Sequence, residues 1–329
     1  MYYIESPSTD PHFNLALEQY IFDASDKARD YCMLWRNSNA VVVGRFQNTA
    51  AEINAAYVKK HGISVVRRLS GGGAVYHDLG NVNFTFIARR GTPGAFDFAS
   101  FCRPVVEALA SLGVPAEISG RNDMTIDGKK FSGNAQYYKR DRVMHHGTIL
   151  YDSDLSVVAE ALVVPKDKFA SKGITSVRSR ITNVKEYMSA DIPVERFIAV
   201  LRETLIRENH MVPYELSPDD LQGALALQRA VYDTWEWNYG ASPAYNIRKE
   251  QRIDGCGKLE IHMNVERGVI VDAAFFGDYF GNEDSGGLAD LLRGRHLERT
   301  ELEAALAGTD IGAYFHNLDA GRFLDILLD

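Results

Sequence analysis

Hydrophobic positions recur along the chain in two spacings, which predict a mixture of helices and strands. Apolar residues every three or four positions over 13–24 predict a helix. Short, continuous apolar runs predict strands at 31–35 and 40–43, and a further strand is predicted at 142–151. Further helices are predicted at 50–61, 97–112, 155–164, 194–209 and 218–235.

Two hairpins are predicted in the first half of the chain. The end of a strand at 64–66 and the alternating Val82, Phe84 and Phe86 predict a hairpin across a glycine-rich turn. A second hairpin is predicted over 124–131, with the two-residue turn Asp127-Gly128 between its strands.

The last third of the chain has its own pattern. Strict alternation over 259–265, a turn at Arg267-Gly268 and renewed apolar residues over 269–276 predict two strands, and helical patterns follow from Leu288 to the end. The turn-forming run 238–243 precedes this unit. We therefore predict two domains, a larger one over 1–243 and a small α+β domain over 244–329.

Composition places the chain among soluble globular enzymes. Of the 329 residues, 46% are hydrophobic and 24% are charged. No apolar run approaches the roughly 20 residues of a membrane span, and the N-terminus has no signal-peptide pattern. The three cysteines Cys32, Cys102 and Cys256 form no C-x-x-C pair, which favours reduced thiols and a cytoplasmic location.

Charge is unevenly distributed along this acidic chain. The net charge is −8, yet residues 121–185 carry 12 Lys and Arg against 7 Asp and Glu. Residues 245–329 carry 9 against 16. An acidic chain with a basic middle favours a small polyanion or an acidic protein partner over a nucleic acid duplex.

The segment RRLSGGGAVYHD at 67–78 is the strongest candidate for a binding loop. Three glycines can turn several backbone N–H groups toward an anion, and Arg67, Arg68 and His77 flank them. Arginine can bind a phosphate or carboxylate through two parallel hydrogen bonds. A flexible surface turn is the alternative for the glycines alone. The segment lacks the Gly-Lys-Ser/Thr of a P-loop, and Tyr76 does not fit a dinucleotide fingerprint.

A pair of lysines follows the Asp-Gly turn. Strand alternation places Lys129 and Phe131 on one face and Lys130 on the other, so one lysine can reach solvent while its neighbour faces a pocket. Lysine supplies a full charge and three donors to a phosphoryl or acyl oxygen. A solvated surface pair is the alternative interpretation.

Metal and nucleophile signals are weak. The adjacent His145 and His146 should face opposite sides of a strand, which argues against a structural zinc site. Asp123 could hold the Mg²⁺ that accompanies a nucleotide, although a turn cap explains it equally well. There is no G-x-S-x-G motif, and no cysteine lies between 103 and 255. A basic, glycine-rich pocket without a nucleophile suits a reaction in which a substrate carboxylate itself attacks ATP and displaces pyrophosphate.

Several segments together resemble the lipoate–protein ligase A family, in the same order along the chain. They are RRLSGGGAVYHD (67–78), NVNFT (81–85), GRND (120–123), KFSGNAQ (130–136), HHGT (145–148), KGITSVRSRITN (172–183) and WEWNYG (235–240). The resemblance implies an α+β fold with a large mixed-sheet catalytic domain of the biotin/lipoate ligase type, similar to class II aminoacyl-tRNA synthetases, and a small C-terminal accessory domain. It implies that lipoate and Mg-ATP give lipoyl-AMP and pyrophosphate, and that the lipoyl group then passes to a lysine of an acceptor domain.

The resemblance also implies roles for individual residues. Lys130 matches the essential lysine that contacts both the α-phosphate and the lipoyl carbonyl. The loop 172–183 matches a segment that closes over the adenylate. Nucleotide-binding positions are Arg68, Gly73, Ala74, Val75, Tyr76, Asn83, Asp123, Lys130, Ser179 and Arg180. Lipoate-binding positions are Ser70, Gly71, Gly72, Lys130, Ser132, Gly133, Asn134, His146 and Gly147.

The partners implied by the resemblance are acceptor proteins. They are the lipoyl domains of 2-oxoacid dehydrogenase acyltransferase subunits and the glycine-cleavage H protein, with the ligase itself a monomer. One alternative is an ATP-independent octanoyl or lipoyl transferase of the same superfamily, which uses a cysteine nucleophile and generally lacks the C-terminal domain. Another is a non-catalytic lipoate-binding protein. The loop sequences SGGGAV and KFSG differ from the biotin-loop pattern, which argues against a biotin ligase.

Overall fold

A computed structural model of the chain describes residues 1–25, 28–89, 98–120, 122–162, 180–239, 247–266 and 268–328. Ser179, most of the predicted closing loop and the end of the predicted interdomain joint therefore lie outside the described residues. No helix among the described residues is long and apolar enough to cross a membrane.

The strands of the described chain are, in order, β1 (Tyr2–Glu5), β2 (Tyr31–Trp35), β3 (Ala40–Val43), β4 (Ser64–Arg67), β5 (Val75–His77), β6 (Asn81–Arg89), β7 (Ala116–Ser119), β8 (Asp123–Ile126), β9 (Lys129–Lys139), β10 (Arg142–Leu150), β11 (Val212–Pro213), β12 (Ile247–Ile253), β13 (Gly257–Glu266) and β14 (Val269–Gly277).

The α-helices of the described chain are α1 (Pro11–Ala24), α2 (Thr49–Glu52), α3 (Ala55–Lys60), α4 (Phe98–Ser111), α5 (Leu155–Ala161), α6 (Val194–Glu208), α7 (Pro218–Leu227), α8 (Trp235–Asn238), α9 (Ser285–Leu292), α10 (Arg299–Ala305), α11 (Ile311–Tyr314) and α12 (Ala320–Leu328). A 3₁₀ turn covers Val184–Tyr187 and a π-helical turn covers Gln228–Tyr232.

A mixed eight-stranded sheet forms the centre of the molecule. Its strand order is β11-β1-β2-β6-β10-β9-β8-β7. The central strands β6 and β10 are buried almost throughout, because helices cover both faces of the sheet. Helices α1 and α7 pack on one face, and α4 and α6 pack on the other. This arrangement confirms the α+β fold with a large mixed sheet.

The first predicted hairpin is wrong. Strand β4 pairs in parallel with β3, so that Val65 lies opposite Val41, and β5 pairs antiparallel with the other edge of β3. Strand β6 belongs instead to the large sheet, between β2 and β10. The glycine-rich segment therefore connects the two outer strands of a separate three-stranded sheet, and β5 was too short to be recognised from its pattern.

The second predicted hairpin is confirmed. Strands β8 and β9 pair antiparallel, and Asp127 (φ 51°) and Gly128 (φ 72°) both have positive φ, as the two-residue turn requires. A register shift follows in β8 between Met124 and Thr125, which interrupts the strict alternation on β9. Lys129 is exposed and Phe131 is fully buried, so the prediction that these two residues lie on the same face of the strand is wrong.

Two predicted helices are interrupted at a residue whose side chain caps the N-terminus of a new helix. The helix predicted at 50–61 splits into α2 and α3, because Asn54 caps the backbone N–H of Tyr57. The helix predicted at 218–235 passes into the π-helical turn, and Thr234 then caps α8.

Residues 247–328 have a hydrophobic core of their own. The meander β12–β13–β14 packs against α9 to α12, and the alternation predicted over 259–265 is confirmed as β13. Strand β12 was not predicted, because it alternates too few apolar residues to be recognised. Phe46 is the one partly buried residue from outside this unit that packs on its core among the described residues.

Candidate active site

A cavity of about 390 Å³ lies where the glycine-rich segment, the central strands and the C-terminal unit meet. Most of the predicted site residues line it: Arg68, Gly72, Gly73, Ala74, Val75, Asn83, Lys130, Gly133, Asn134, His146 and Gly147. Residues from four separate predicted motifs thus meet around one space.

The other predicted site residues do not line this cavity. Ser70 and Gly71 line a second cavity, which lies between Tyr137 and Asn282. Tyr76 packs in the core beside the three-stranded sheet, and Ser132 is buried and accepts a hydrogen bond from Asn134. Arg180 is exposed. Asp123 reaches the site through its contact with Lys130.

Sequence reasoning missed several residues that line the cavity. His77 was noted beside the loop but was not assigned to a ligand. The apolar side of the wall comes from Leu15, Trp35, Val42 and Ala135. The C-terminal unit adds Arg252, Gly257, Asp278 and Phe280. Apart from His77, these residues carry no local signal, because they come from elements far apart in the sequence.

Lys130 is held at the start of β9 by backbone pairing. Its N–H donates to the carbonyl of Arg180 at 2.7 Å, and its carbonyl accepts from the N–H of Thr182 at 2.9 Å. The side chain is 40% exposed, and its Nζ lies 2.7 Å from Asp123 Oδ1. This contact is an ion pair rather than an aligned hydrogen bond, since Asp123 Oδ1 has no hydrogen-bond partner among the described residues. The described end of the predicted closing loop therefore fixes the position of the lysine.

Arg67 is committed to the protein rather than to a ligand. Its guanidinium donates to the carbonyls of Gly44, Arg45 and Gln47 at 2.7 to 3.1 Å. It also donates to Thr49 Oγ1 and to the carbonyls of Trp237 and Asn238. All three nitrogens are used, so the anion contact suggested for this residue is not supported.

Arg68 lies beneath the glycine-rich segment and shapes it. Its Nη2 donates to the carbonyls of Gly71 (2.7 Å) and Gly73 (2.9 Å), and its Nε donates to Ser70 Oγ at 3.1 Å. Gly72 between them has a φ of 91°, which a residue with a Cβ rarely adopts. Burial lowers the pKa of the Arg68 guanidinium to about 10, so it stays charged near neutral pH.

His146 is oriented by a buried polar chain. Its Nδ1 lies 2.9 Å from Glu18 Oε1, and its Nε2 lies 2.5 Å from Ser70 Oγ. Thr85 donates a further hydrogen bond to Glu18 at 2.7 Å. The order serine–histidine–carboxylate resembles a nucleophilic triad, but Ser70 is 1% exposed and does not line the cavity. These hydrogen-bonded side chains therefore position His146 in the cavity wall.

His145 faces the opposite side of β10, as predicted from strand alternation. Its Nδ1 lies 3.0 Å from Gln136 Nε2, and its Nε2 lies 3.2 Å from Asn134 Oδ1. Burial, with the neighbouring His146 charge as a smaller cause, holds the pKa of His145 well below its ordinary value. The neutral ring then donates from Nε2 and orients Asn134, which lines the cavity.

Two buried N–H donors in the cavity wall have no hydrogen-bond partner among the described residues. His77 Nδ1 accepts from Asn37 Nδ2 at 3.0 Å, so the proton of the neutral ring lies on Nε2. Burial lowers the pKa of His77 to about 3. His77 Nε2 and Asn83 Nδ2 are the unpartnered atoms, and both residues line the cavity. A buried unpaired donor is costly, so a ligand with acceptor oxygens suits this wall.

The C-terminal unit contacts the glycine-rich segment directly. The N–H of Gly72 lies 3.4 Å from the carbonyl of Tyr279, and the ring of Tyr279 stacks on Phe46 at 4.5 Å. The ring of Phe280 lies beside Gly72. The unit thus forms part of the cavity wall.

The described residues contain no cluster of three or more side chains suited to hold a metal ion. The carboxylate of Asp123 lies beside Lys130, and that of Asp278 lines the cavity from the C-terminal unit. Mg²⁺ is commonly held by one or two carboxylates together with substrate phosphates and water. The residues therefore fit an ion that arrives with a nucleotide.

Two family models match the chain. That of the lipoyl protein ligase A/B catalytic domain matches residues 10–206, and that of the bacterial lipoate protein ligase C-terminus matches residues 242–327.

Curated relatives are similar over nearly their whole length. The lipoate-protein ligase LplJ of Bacillus subtilis is 41% identical over 321 residues, which cover 97% of each chain. Lipoate–protein ligase 1 of Staphylococcus aureus is 39% identical over 319 residues, again with 97% of each chain covered.

Solved structures share the fold. LipL1 of Plasmodium falciparum, in complex with lipoate, has a TM-score of 0.80 at 24% identity and covers 99% of this chain and 98% of its own. A bipartite lipoate protein ligase of Thermoplasma acidophilum, described with its E2 lipoyl domain, has a TM-score of 0.64 at 28% identity, over 75% of this chain and 98% of its own. A lipoate-protein ligase A bound with ATP has a TM-score of 0.60 at 26% identity, over 73% of this chain and 97% of its own.

Proposed function

The chain belongs to the lipoate–protein ligase family, and we propose that it activates lipoate with ATP and transfers the lipoyl group to protein at the cavity described above. It is an enzyme, a lipoate–protein ligase. The observation that supports the site assignment is that Lys130, the glycine-rich segment and two N–H donors without a partner in the described chain meet around one cavity.

The first step joins lipoate to AMP. A carboxylate oxygen of lipoate attacks the α-phosphorus of ATP, the new P–O bond forms, and the bond from the α-phosphorus to the leaving pyrophosphate breaks. Negative charge builds on the phosphoryl oxygens, and the charge of Lys130 stabilises it. The N–H groups of His77 and Asn83 are neutral donors in the same cavity wall.

The second step moves the acyl group to the acceptor. The neutral ε-amine of the acceptor lysine attacks the lipoyl carbonyl, AMP leaves with the bonding electron pair, and the nitrogen loses a proton. The developing oxyanion again needs a positive group, and Lys130 would serve both steps from one position.

The apolar part of the wall suits the hydrocarbon chain of lipoate. Leu15, Trp35, Val42 and Val75 present carbon surface, and His146 adds a polar group held by Glu18. Apolar burial supplies affinity, and a few placed polar groups fix the orientation of a ligand.

Mg²⁺ is proposed to enter with ATP. It would supply charge stabilisation to the phosphates, and Asp123 is the residue that would hold it. Because Asp123 also contacts Lys130 in the structure, the lysine and the ion would act on the same phosphates.

The proposed acceptors are lipoyl domains of 2-oxoacid dehydrogenase acyltransferase subunits and the glycine-cleavage H protein. The archaeal ligase described with its E2 lipoyl domain supports this choice. We propose a monomer and a cytoplasmic location; the latter is supported by the three cysteines, which form no disulfide within the described part of the chain.

Acceptor lipoylation tests the proposed function. The purified chain is incubated with lipoate, Mg-ATP and a lipoyl domain, and the mass of the domain is measured. We expect a lipoyl adduct that requires both ATP and lipoate. Acyl transfer from an acyl-carrier donor without ATP would instead make the chain a transferase, and lipoate binding with no adduct at all would leave it a binding protein.

A further inference from the structure

Arg252 is the residue through which the C-terminal unit adds positive charge to the cavity. It lies near the end of β12 and lines the cavity together with Lys130 and Gly73. Its side chain is 52% exposed, so the guanidinium can meet a ligand that enters from solvent.

The other cations that line the cavity are already engaged. Among the described residues the lining holds three, Arg68, Lys130 and Arg252. Arg68 donates four hydrogen bonds to the protein, and Lys130 lies 2.7 Å from a carboxylate. The guanidinium of Arg252 donates no hydrogen bond to any residue of the described chain. Its donors are therefore the least committed of the three.

Asp278 lies beside Arg252 but accepts no hydrogen bond from its guanidinium. The nearest approach of the two side chains is 3.7 Å, from Arg252 Nη2 to Asp278 Oδ2, which is too long for a hydrogen bond. Asp278 is itself fixed, because its Oδ1 accepts from the backbone N–H of Lys258 at 2.5 Å. The pair presents a planar group with free donors at the cavity wall.

We propose that Arg252 is a catalytic residue of the first step, where it contacts the β- and γ-phosphates of ATP and then the pyrophosphate that leaves. This inference rests on the proposed function. The polyphosphate is the most highly charged part of either substrate, and arginine binds phosphate oxygens through two parallel hydrogen bonds. The half-exposed position of Arg252 suits contact with pyrophosphate, because pyrophosphate must leave the site for solvent.

The inference predicts an effect on one half-reaction alone. Arg252→Gln should raise the apparent KM for both ATP and pyrophosphate by about 10-fold, as expected for one charge-assisted contact. The KM for lipoate should be unchanged. Transfer from preformed lipoyl-AMP to a lipoyl domain should be unchanged, because pyrophosphate has already left.

Arg248→Gln is the matched control. Arg248 lies on the same strand and is similarly exposed, but it pairs with Glu250 and Glu260 and does not line the cavity. Arg252→Lys keeps the charge without the fork of donors and should recover part of the lost affinity.

The experiment is lipoate-dependent ATP–pyrophosphate exchange on the full chain and its variants, with transfer from lipoyl-AMP measured in parallel. An unchanged KM for ATP in Arg252→Gln overturns the inference, as does a defect confined to transfer, which would assign the residue to the acceptor. Pyrophosphate binding, measured by calorimetry, separates the two proposals. A wild type that shows no exchange overturns the proposed function. Pyrophosphate binding that is weaker only in Arg252→Gln still supports the assignment of this residue.

Discussion

Arg67 and Arg68 are neighbours in the sequence but have different roles at the site. Arg67 joins the turn at 44–49 to Trp237 and Asn238, and Arg68 supports the glycine-rich segment from below. The sequence predicts that both are close to an anion site, because both flank the glycines. It does not distinguish them, since the carbonyls that bind Arg67 come from segments far apart in the chain.

Replacing Arg67 should destabilise the fold. In Arg67→Met several buried carbonyls lose their donor, and we expect a loss of about 3 kcal/mol in the free energy of unfolding. Urea denaturation measures it. The exposed Arg248→Met should change stability by less than about 0.5 kcal/mol. An equally small change in Arg67→Met would contradict its structural role.

The buried His77 should make stability depend on pH. Its pKa is about 3 in the folded chain, whereas the unfolded imidazole has its ordinary value of about 6.5. Below that value the unfolded state binds more protons, so stability falls with decreasing pH, by up to about 1.4 kcal/mol per pH unit from this residue.

His77→Gln removes the contribution of this histidine to the pH dependence of stability. Urea denaturation at several pH values between about 6 and 4 should show a shallower pH dependence in the variant than in the wild type. The same slope in both proteins would mean that His77 is protonated in the folded state.

At the scale of elements, the site depends on strands that approach each other closely. Gly147 on β10 lies opposite Asn134 on β9, and a Cβ there would meet Asn134 Oδ1 and the ring of Phe84. The motif HHGT marked this glycine as part of the site. The close contact that requires it appears only once β6, β9 and β10 are assembled.

Gly147→Ala should therefore displace Asn134 or Phe84. We expect a loss of roughly 1–3 kcal/mol in stability together with reduced lipoylation. Gly73 is the control for stability, because a Cβ there meets no atom within 4 Å. Thermal unfolding of the two alanine variants compares them, and equal melting temperatures would contradict the packing argument.

The hairpins show which elements could be predicted. The Asp127-Gly128 turn carries its own conformational signal, so β8 and β9 were recognised from adjacent residues alone. The glycine-rich segment carries no such turn signal, and its two flanking strands pair with β3 rather than with each other. Parallel pairing over a long connection leaves no local pattern, which is why the predicted partner of 64–66 was wrong.

At the scale of the whole molecule, the C-terminal unit forms part of the cavity wall. Sequence patterns predicted a separate α+β unit, and its own core agrees with that description. They did not predict that Arg252, Asp278 and Phe280 would line the cavity, because a contact between units depends on docking rather than on periodicity.

Phe46 should couple the two units. It stacks on Tyr279, and its carbonyl accepts from the N–H of Gly277 at 2.8 Å. We expect the wild type to unfold in one calorimetric transition and Phe46→Ala to separate into two, while the exposed Val271→Ala keeps a single transition. A single transition in Phe46→Ala would contradict this coupling.

The central claim is that the chain forms lipoyl-AMP at a site centred on Lys130. Lipoate-dependent ATP–pyrophosphate exchange, without any acceptor protein, tests it in the wild type, in Lys130→Ala and in Lys129→Ala. Lys129 is the matched control, because it is adjacent, exposed and absent from the cavity lining. We predict exchange in the wild type and in Lys129→Ala, and a loss of at least about 100-fold in Lys130→Ala, as for removal of one preorganised charge. Undiminished exchange in Lys130→Ala, or acyl transfer without any exchange in the wild type, would contradict the account.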